Sequence, residues 1–395
     1  MLSGIIIAIV CLPAALTIVW FAEIVAGCLA LSRQRPIAET LLPRSHRTAV
    51  LIPAHNEGAG LLPTLCDVQA QLGPADRILV VADNCTDDTA EVARIAGAEV
   101  VVRHDPERRG KGYALEFGVS HLASDPPDVV VILDADCRLD DGALGHLSMS
   151  AMTTGRPIQS LYLMLRPEGV PPGAGVNVFA WRIKNWLRPF GQKLLGMPTQ
   201  LFGTGMAFPF ELLAGRDLGN SRLAEDTALG IALAAAGRPP LFISEARIHS
   251  YFPVSEAGTG SQRHRWEKGH LDNIAELVPG ALIRSLRDRN AALAALAIDM
   301  AVPPLSLLVL VTLLCLGLGG IAFAFGAASA TLAIPLFSAL LLGFGTILAW
   351  FAVGRDVLSV RRLLLLPLHP IRKVLFYNRM ASGKSSSAWV RTDRK

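Results

Sequence analysis

The sequence has few charged and few aromatic residues for its length. Of its 395 residues, 18% are charged and 6% are aromatic, while 51% are hydrophobic and the mean hydropathy is +0.42. This balance is too apolar for an ordinary soluble enzyme. Because the apolar excess lies at the two ends of the chain, the composition indicates membrane segments on either side of a soluble middle part.

Two further absences narrow the class of protein. The six cysteines show no C-x-x-C spacing, and Cys11, Cys28 and Cys315 lie within long apolar runs, so neither a disulfide framework nor a zinc site is expected. The chain also lacks G-x-G-x-x-G and G-x-x-x-x-G-K-[ST] at the points where such loops would be needed. This absence argues against a Rossmann dinucleotide site, a P-loop and a nucleotidyltransferase.

The soluble middle part has no surplus of basic charge. Residues 45–290 contain 24 Lys and Arg against 28 Asp and Glu, whereas residues 354–395 contain 10 basic and 2 acidic residues. A nucleic-acid-binding domain would carry its basic surplus on the domain itself. We therefore expect no nucleic-acid partner, and we predict that the basic tail at 354–395 meets anionic membrane lipids.

Three apolar runs are long enough to cross a membrane, which takes roughly 20 apolar residues. They cover residues 2–31, where Glu23 is the one charged residue, and residues 305–326 and 332–353. A cleaved signal peptide would begin with a basic segment and have a shorter apolar core. The first run is therefore predicted to be a retained transmembrane helix.

These runs divide the chain into four parts. We predict an N-terminal transmembrane helix at 1–32, a soluble domain at 45–290, two C-terminal transmembrane helices at 291–353 and the basic tail. Within the third part, residues 291–304 either lengthen the first of its two helices or lie along the membrane interface.

The distribution of basic residues predicts the orientation. Arg33, Arg35, Arg44 and Arg47 follow the first run, and the tail is also basic. Because loops rich in Lys and Arg stay in the cytoplasm, we expect an integral inner or plasma membrane protein with its N-terminus outside and its soluble domain and tail in the cytoplasm.

Two segments outside the spans are amphipathic. Residues 178–196 mix aromatic, leucine and basic residues, and they lie either on the membrane surface or as a buried helix of the domain. Residues 357–376 are the better candidate for an interfacial helix.

The soluble middle part alternates short β-branched runs with helical patterns, which is typical of an α/β domain with a mostly parallel central sheet. The predicted strands cover residues 47–53, 77–83, 98–105 and 127–136, and the predicted helices cover 58–72, 86–97 and 110–123. Ligands of such sheets bind at the carboxyl ends of the strands.

Polar residues follow the carboxyl end of each predicted strand, in an arrangement suited to an anionic ligand and a metal. In chain order they are Pro53, His55 and Glu57; Asp83; Arg108, Arg109 and Lys111; and Asp134 with Asp136. Two carboxylates at i and i+2 after a buried strand can hold Mg²⁺ or Mn²⁺. An isolated pair would be read as aspartates that cap a turn.

The pair is not isolated, because a series of motifs follows in a fixed order. The series is Asp83, then Asp134-x-Asp136, then Glu225-Asp226, then Gln262-x-x-Arg265-Trp266. Over roughly residues 45–275 this resembles the D, DxD, ED, QxxRW signature of membrane-bound family 2 glycosyltransferases. That group includes cellulose, chitin, hyaluronan and poly-N-acetylglucosamine synthases and ceramide glucosyltransferases. The resemblance implies a GT-A-like nucleotide-sugar-binding domain at 45–290.

The resemblance also implies a role for each residue. The donor, a UDP-sugar, would be bound by Pro53, His55, Glu57, Asp83, Lys111, Asp134 and Asp136. Mg²⁺ or Mn²⁺ would be held by Asp134 and Asp136, with His249 either completing the shell or serving as a structural histidine. Asp226 would be the general base, with Glu225 sharing the task or capping the next helix. The acceptor and diphosphate side would be Gly203, Thr204, Gln262, Arg265 and Trp266.

Several of these residues have a structural alternative. Glu57 could favour a helix N-terminus, Lys111 could be a solvated lysine, and Trp266 could anchor its helix in the core. Helical spacing puts Gln262, Arg265 and Trp266 on one face, with Ser261 at the position of an N-cap.

The predicted function is inverting transfer from a UDP-sugar to a glycan acceptor, in exopolysaccharide or envelope polysaccharide synthesis. The alternative is transfer of one sugar to a lipid acceptor, such as a polyprenyl phosphate or a ceramide-like lipid. Three spans are few for a polymer channel, so polysaccharide export would need partner proteins. A catalytically inactive scaffold would lack some of the acidic positions, and all of them are present.

Overall fold

A computed structural model describes residues 2–34, 44–167, 175–219, 225–253 and 256–366. The basic tail from residue 367 onward, and with it half of the predicted interfacial segment 357–376, lies outside the described residues.

The described residues form eight strands and thirteen α-helices. The strands are β1 (Thr48–Ala54), β2 (Arg77–Asp83), β3 (Glu99–Arg103), β4 (Val129–Ile132), β5 (Arg138–Leu139), β6 (Ile158–Leu165), β7 (Met206–Pro209) and β8 (Leu241–Tyr251). The helices before β8 are α1 (Leu2–Ser32), α2 (Leu62–Gln69), α3 (Thr89–Ile95), α4 (Lys111–Leu122), α5 (Ala143–Thr154), α6 (Gly175–Arg182), α7 (Arg188–Leu194) and α8 (Glu225–Ala235). Those after it are α9 (Glu256–Arg287), α10 (Ala291–Ala301), α11 (Leu305–Ala324), α12 (Ala330–Val353) and α13 (Val360–Leu365).

All eight strands form one sheet, in the order β3-β2-β1-β4-β7-β6-β8-β5. The first four strands are parallel, as are β6 and β8, while β7 runs antiparallel to both of its neighbours and β5 runs antiparallel to β8. The α/β fold with a mostly parallel sheet is therefore confirmed. The fourth predicted strand is shorter than expected and ends at Ile132, so Asp134 and Asp136 lie in the loop beyond it.

Side chains of a strand alternate between the two faces of the sheet. Helices cover both faces, so both are buried. Val50 and Ile52 of β1 pack with Leu65 of α2 in one core, while Leu51 packs with Val119 of α4 in the other. Helices on both faces protect a parallel sheet from water and bring the carboxyl ends of its strands to one edge.

Three described helices, α1, α11 and α12, are long and apolar enough to cross a membrane, as predicted. They pack against one another around Trp20, Leu308 and Leu342. Residues 291–304 do not lengthen α11. Ala291–Ala301 form the separate helix α10, capped by Asn290, whose Oδ1 accepts a hydrogen bond from the Leu293 N–H at 2.9 Å.

Most of the amphipathic segment 178–196 packs between the sheet and α1, which agrees with the interpretation of a buried helix of the domain. A Cβ on Gly191 of α7 would lie 2.1 Å from the Glu23 carbonyl oxygen of α1, so the two backbones touch. Arg188 of α7 donates from Nε to Glu23 Oε2 at 2.6 Å, and it also forms an ion pair with Asp299 of α10. A buried ion-pair network therefore joins the soluble domain to the first membrane helix.

Candidate active site

One cavity of about 1690 Å³ extends from the carboxyl edge of the sheet to the membrane helices. At the sheet its walls include Pro53, Asp83 and Asp136. At the other end they include Leu342 and Trp350 of α12. A polar site and an apolar groove are therefore parts of the same space.

The two aspartates after β4 lie at the polar end of this cavity. Ligand atoms of Asp134, Asp136 and Cys137 all lie within 4.8 Å of one another. Cys137 is the poorer candidate, because its side chain is fully buried and a soft thiolate is not the ligand that Mg²⁺ or Mn²⁺ prefers. The two carboxylates remain, and carboxylate oxygens are the ligands that Mg²⁺ and Mn²⁺ prefer. His249 lies elsewhere, with its Nδ1 at 3.4 Å from Asp140 Oδ1, which supports its structural interpretation.

Lys111, the first residue of α4, reaches the same corner. Its ammonium forms an ion pair with Asp134 and donates to the Gly203 carbonyl oxygen at 2.7 Å. Burial opposes its charge, but the negative charges of Asp134, Glu225 and Asp226 outweigh that effect and raise the pKa of Lys111. The lysine is therefore a fixed cation at the site, not a solvated one.

The loop before β7 carries two of the predicted site residues. Gly203 lines the cavity, whereas Thr204 is buried behind it. Gly203 has φ +84°, and a Cβ there would lie 3.5 Å from Asp226 Oδ2 and 3.6 Å from Lys111 Nζ. Thr204 is fully buried, and its Oγ1 accepts a hydrogen bond from the Asp134 N–H at 2.9 Å. Thr204 is not part of the cavity wall; it holds the Asp134 backbone in place, and its contact with acceptor or diphosphate stays a prediction.

Glu225 and Asp226 occupy the first turn of α8 and face the cavity. Burial, followed by the charge of Asp226, raises the pKa of Glu225 to about 7. Burial likewise raises the pKa of Asp226, against the opposing charges of Lys111 and Lys184. Carboxylates with raised pKa values hold a proton more firmly, which suits proton transfer near neutral pH.

The opposite side of the polar end is built around Asp83. Its Oδ1 accepts a hydrogen bond from Arg103 Nη1 at 2.6 Å, and its carbonyl oxygen lies 2.7 Å from His55 Nδ1. Pro53, His55 and Glu57 also line the cavity, and the Glu57 N–H donates to Thr89 Oγ1 at 2.8 Å.

Sequence reasoning did not identify Arg103, the main partner of Asp83. The register of the sheet places the two residues opposite each other at the ends of β2 and β3. Their separation of 20 positions gives no local pattern, so only the pairing of the strands reveals the contact.

Helix α9 carries the Q-x-x-R-W motif along the cavity, and Gln262, Arg265 and Trp266 all line it, as one helical face should. Burial lowers the pKa of Arg265 while the charges of Asp134 and Glu225 oppose that shift, so the guanidinium lies near both carboxylates. The Trp266 ring is 4.8 Å from that of Trp181 between centroids. The predicted N-cap at Ser261 is wrong, because α9 begins at Glu256.

Lys184 also lines the cavity and was not predicted as a site residue. It lies in a π-helical turn at Ile183–Leu187, between α6 and α7. The signal in the sequence was a basic residue within the aromatic segment 178–196, but its position in the cavity depends on how that segment packs.

The sheet forms an α/β domain whose carboxyl edge carries acidic and basic groups that could bind an anionic ligand together with a metal ion. Residues 49–158 match the family described as Glycosyl transferase family 2. The match covers the parallel half of the sheet and includes Asp83, Asp134 and Asp136.

Individual relatives agree with this assignment over part of the chain. An uncharacterized glycosyltransferase of Mycobacterium tuberculosis strain H37Rv is 35% identical over 142 residues, which are 34% of this chain and 58% of that protein. The 4,4'-diaponeurosporenoate glycosyltransferase of Staphylococcus aureus strain Newman is 32% identical over 125 residues, 31% of this chain and 32% of that protein. The chain thus spans less than two thirds of these relatives.

Among solved structures, a mannosyltransferase from Pyrobaculum calidifontis in complex with GDP-Man and Mn²⁺ resembles the whole chain. The TM-score is 0.54 at 19% sequence identity, and the similarity covers 95% of this chain and 99% of that chain. A likeness at this identity concerns the fold, and it agrees with the GT-A-like fold implied by the motifs.

Proposed function

We propose that this protein is a membrane-bound, metal-dependent glycosyltransferase that transfers a sugar from a nucleotide-diphosphate sugar to a lipid acceptor. One observation carries the proposal: a single cavity joins the carboxylate corner of the sheet to the apolar faces of the membrane helices. A lipid could place its headgroup at the site while its tail stays between apolar side chains.

The donor would lie along the carboxyl edge of the sheet. Its nucleoside would contact Pro53, Glu57 and Asp83, and its diphosphate would face Lys111 and Arg265. The cationic groups suit a diphosphate, because charge-assisted hydrogen bonds to phosphate are strong. UDP remains the predicted nucleotide on the strength of the motif resemblance.

The metal would be held by Asp136 and Asp134, whose carboxylates fit Mg²⁺ or Mn²⁺. Such an ion would neutralise charge on the departing nucleoside diphosphate. Lys111 and Thr204 fix Asp134 from two sides, through its carboxylate and its backbone N–H. This support holds the carboxylate in one orientation before the ligand binds.

Asp226 would act as the general base on the acceptor. Asp226 Oδ2 and Lys111 Nζ both lie beside Gly203, so a hydroxyl next to Asp226 would also be near the ammonium of Lys111. Deprotonation of that hydroxyl as it attacks the anomeric carbon allows a single displacement with inversion, and no covalent nucleophile is needed. A positioned base contributes about 10² to 10⁴ in rate.

The apolar end of the cavity supports the lipid acceptor over the glycan acceptor that the motifs favoured. Val309 and Leu313 of α11 line it together with Ile347 of α12. A polysaccharide would gain little from these side chains, whereas an acyl or prenyl chain would bury apolar surface against them. The named substrate of the staphylococcal relative, 4,4'-diaponeurosporenoate, is also lipid-like.

The membrane topology is proposed as the basic residues predict it. The N-terminus would lie outside, and the domain at 45–290 and the tail at 354–395 would lie in the cytoplasm. A lipid acceptor removes the need for partner proteins that export a polymer, and they are not part of this proposal.

The proposal is tested with the full chain purified into nanodiscs and supplied with Mn²⁺. A panel of UDP-sugars and GDP-mannose is offered with a membrane lipid extract or with soluble oligosaccharides, and the products are separated into lipid and aqueous fractions. We expect labelled sugar in the lipid fraction and none with Asp136→Asn. Elongated oligosaccharides with an unlabelled lipid fraction would contradict the lipid acceptor, and an unreacted donor in every arm would contradict the transferase.

A further inference from the structure

Lys184 is a cation that faces the cavity and has no partner among the described residues. Its side chain is exposed to the lumen, and no residue in the described part of the chain forms a hydrogen bond or an ion pair with it. Lys111, the other lysine of the cavity, is held by Asp134 and the Gly203 carbonyl oxygen. An ammonium that is exposed to the cavity and has no anionic partner among the described residues is available to a ligand of opposite charge.

The backbone around Lys184 is also irregular. The Arg188 N–H donates to the Ile183 carbonyl oxygen, which closes one π-helical turn between two α-helices. Such turns are uncommon and often occur at functional sites. Here Ile183 and Leu187 of the turn are buried among the membrane helices, while Lys184 lines the lumen.

The charges near Lys184 place it on the acceptor side of the site. Burial lowers the pKa of Lys184, and the charge of Asp226 is the strongest influence that opposes this shift; Asp299 and Glu267 add smaller ones. Asp299 is already engaged by Arg188 and by Gln200 Nε2, the latter at 2.7 Å. The ammonium is therefore close to the proposed base and to the start of the apolar groove.

We propose that Lys184 binds the anionic headgroup of the acceptor, so that the acceptor is an anionic amphiphile, a lipid phosphate or a lipid carboxylate. This inference rests on the proposed function and narrows its substrate class. The tail would lie along α11 and α12, and the anionic group would pair with Lys184. A hydroxyl of the same headgroup would lie beside Asp226, which takes its proton as the oxygen bonds to the anomeric carbon and the bond to the nucleoside diphosphate breaks. Lys111 and Arg265 would remain with the donor diphosphate, so the two anions of the reaction would have separate cations.

A different role for Lys184 is to lower the energy of the Asp226 carboxylate without touching the acceptor. The two roles differ in their dependence on headgroup charge. If Lys184 binds the headgroup, its loss weakens the binding of anionic amphiphiles alone. If Lys184 stabilises the Asp226 carboxylate, its loss lowers turnover with every acceptor.

The test measures binding of three amphiphiles with one tail: farnesyl phosphate, farnesoic acid and farnesol. The full chain is placed in phosphatidylcholine nanodiscs, and dissociation constants are compared for wild type, Lys184→Gln and Lys184→Arg. We expect Lys184→Gln to weaken binding of one or both anionic probes by about 10- to 100-fold, as for loss of a charge-assisted hydrogen bond, and to leave farnesol unchanged. The phosphate and carboxylate arms show which anion is preferred.

Lys193→Gln is the matched control, because Lys193 of α7 is paired with Glu245 at 3.5 Å and lies outside the cavity wall. It should bind all three probes like wild type, and Lys184→Arg should keep most of the affinity. Thermal unfolding of each variant confirms that it is folded. Equal weakening of all three probes by Lys184→Gln, or no weakening at all, would overturn the inference.

Lipid glycosylation assays distinguish failure of the headgroup role of Lys184 from failure of the proposed function. If Lys184→Gln binds the anionic probes normally while wild type still labels lipids, the headgroup role is wrong and the transferase stands. If wild type labels no lipid of any charge, the proposed function is wrong whatever the probes show.

Discussion

The Lys111 ammonium forms an ion pair with Asp134, one of the two carboxylates that could hold a metal. A divalent ion at this corner would have to share Asp134 with the lysine. Asp136 lies two positions further along the same loop and also lines the cavity, so we expect both carboxylates to contribute to metal affinity.

Replacing Asp136 by Asn should therefore abolish metal-dependent binding of the nucleotide. An amide keeps the volume but removes the charge that attracts Mg²⁺ or Mn²⁺. Calorimetric titration of UDP in the presence and absence of Mn²⁺ measures the effect. Asp140→Asn is the control, because Asp140 follows the same loop but pairs with His249. Full activity after exhaustive chelation would rule out the metal.

Asp226→Asn should lower kcat by about 10² or more and leave the affinity for the nucleotide nearly unchanged, as expected when a general base is lost. Single-turnover transfer and nucleotide binding are measured on the same preparation. Asp217→Asn, an exposed aspartate outside this cavity, should behave like wild type. Equal losses of affinity and rate would make Asp226 a donor-site residue.

The Glu225–Asp226 pair should make stability depend on pH. Burial raises the pKa of Glu225 from 4.5 to about 7, so the folded state binds its proton more tightly than the unfolded state does. The stabilisation is complete below about pH 4.5, and it decreases as the pH rises towards 7. Glu225→Gln removes the ionisable group, so its melting temperature should fall less than that of wild type between pH 5 and pH 8. Parallel curves for the two proteins would contradict this assignment.

Arg188→Leu should destabilise the protein by about 3–5 kcal/mol, because it leaves two buried carboxylates without their cation. Glu23 and Asp299 each have a side chain that is 1% exposed. The control is Arg182→Leu, whose partner Asp356 is 65% exposed, and loss of that pair should cost about 0–1 kcal/mol. Thermal unfolding in one detergent compares the two variants, and similar melting temperatures would show that the buried network adds little.

Local patterns in the sequence predicted those site residues whose positions are fixed by a single strand or helix. Alternating strands and helices placed Asp83, Asp134 and Asp136 at one edge of the sheet, and helical spacing placed Arg265 and Trp266 on one face. The start of α9 was missed because two glycines, Gly258 and Gly260, precede Ser261 and have poor helix propensity. Contacts elsewhere in the fold override that weak preference.

Features that depend on the packing of distant segments could not be predicted in this way. Arg103 reaches Asp83 through strand register, and Thr204 supports Asp134 across 70 positions of sequence. Lys184 joins the cavity because α7 packs against the first membrane helix. The continuity of the polar site with the apolar groove has the same origin, and it changes the favoured acceptor from a glycan to a lipid.

Arg265 and Trp266 lie in one helical turn, and we expect their substitutions to affect the reaction differently. Trp266 lines the cavity and also packs against Trp181 and the main core, so both of its predicted roles have support. If it contacts the acceptor, Trp266→Ala should keep slow hydrolysis of the nucleotide sugar by water but lose transfer. Arg265→Ala should depress both reactions, because the departing diphosphate loses a charge-assisted partner worth roughly 1.5–3 kcal/mol. Hydrolysis and transfer are measured on monodisperse protein, with Trp266→Phe as the variant that keeps an aromatic ring. Parallel loss of both reactions in Trp266→Ala, together with a lower melting temperature, would show that the indole anchors the helix and does not contact the acceptor.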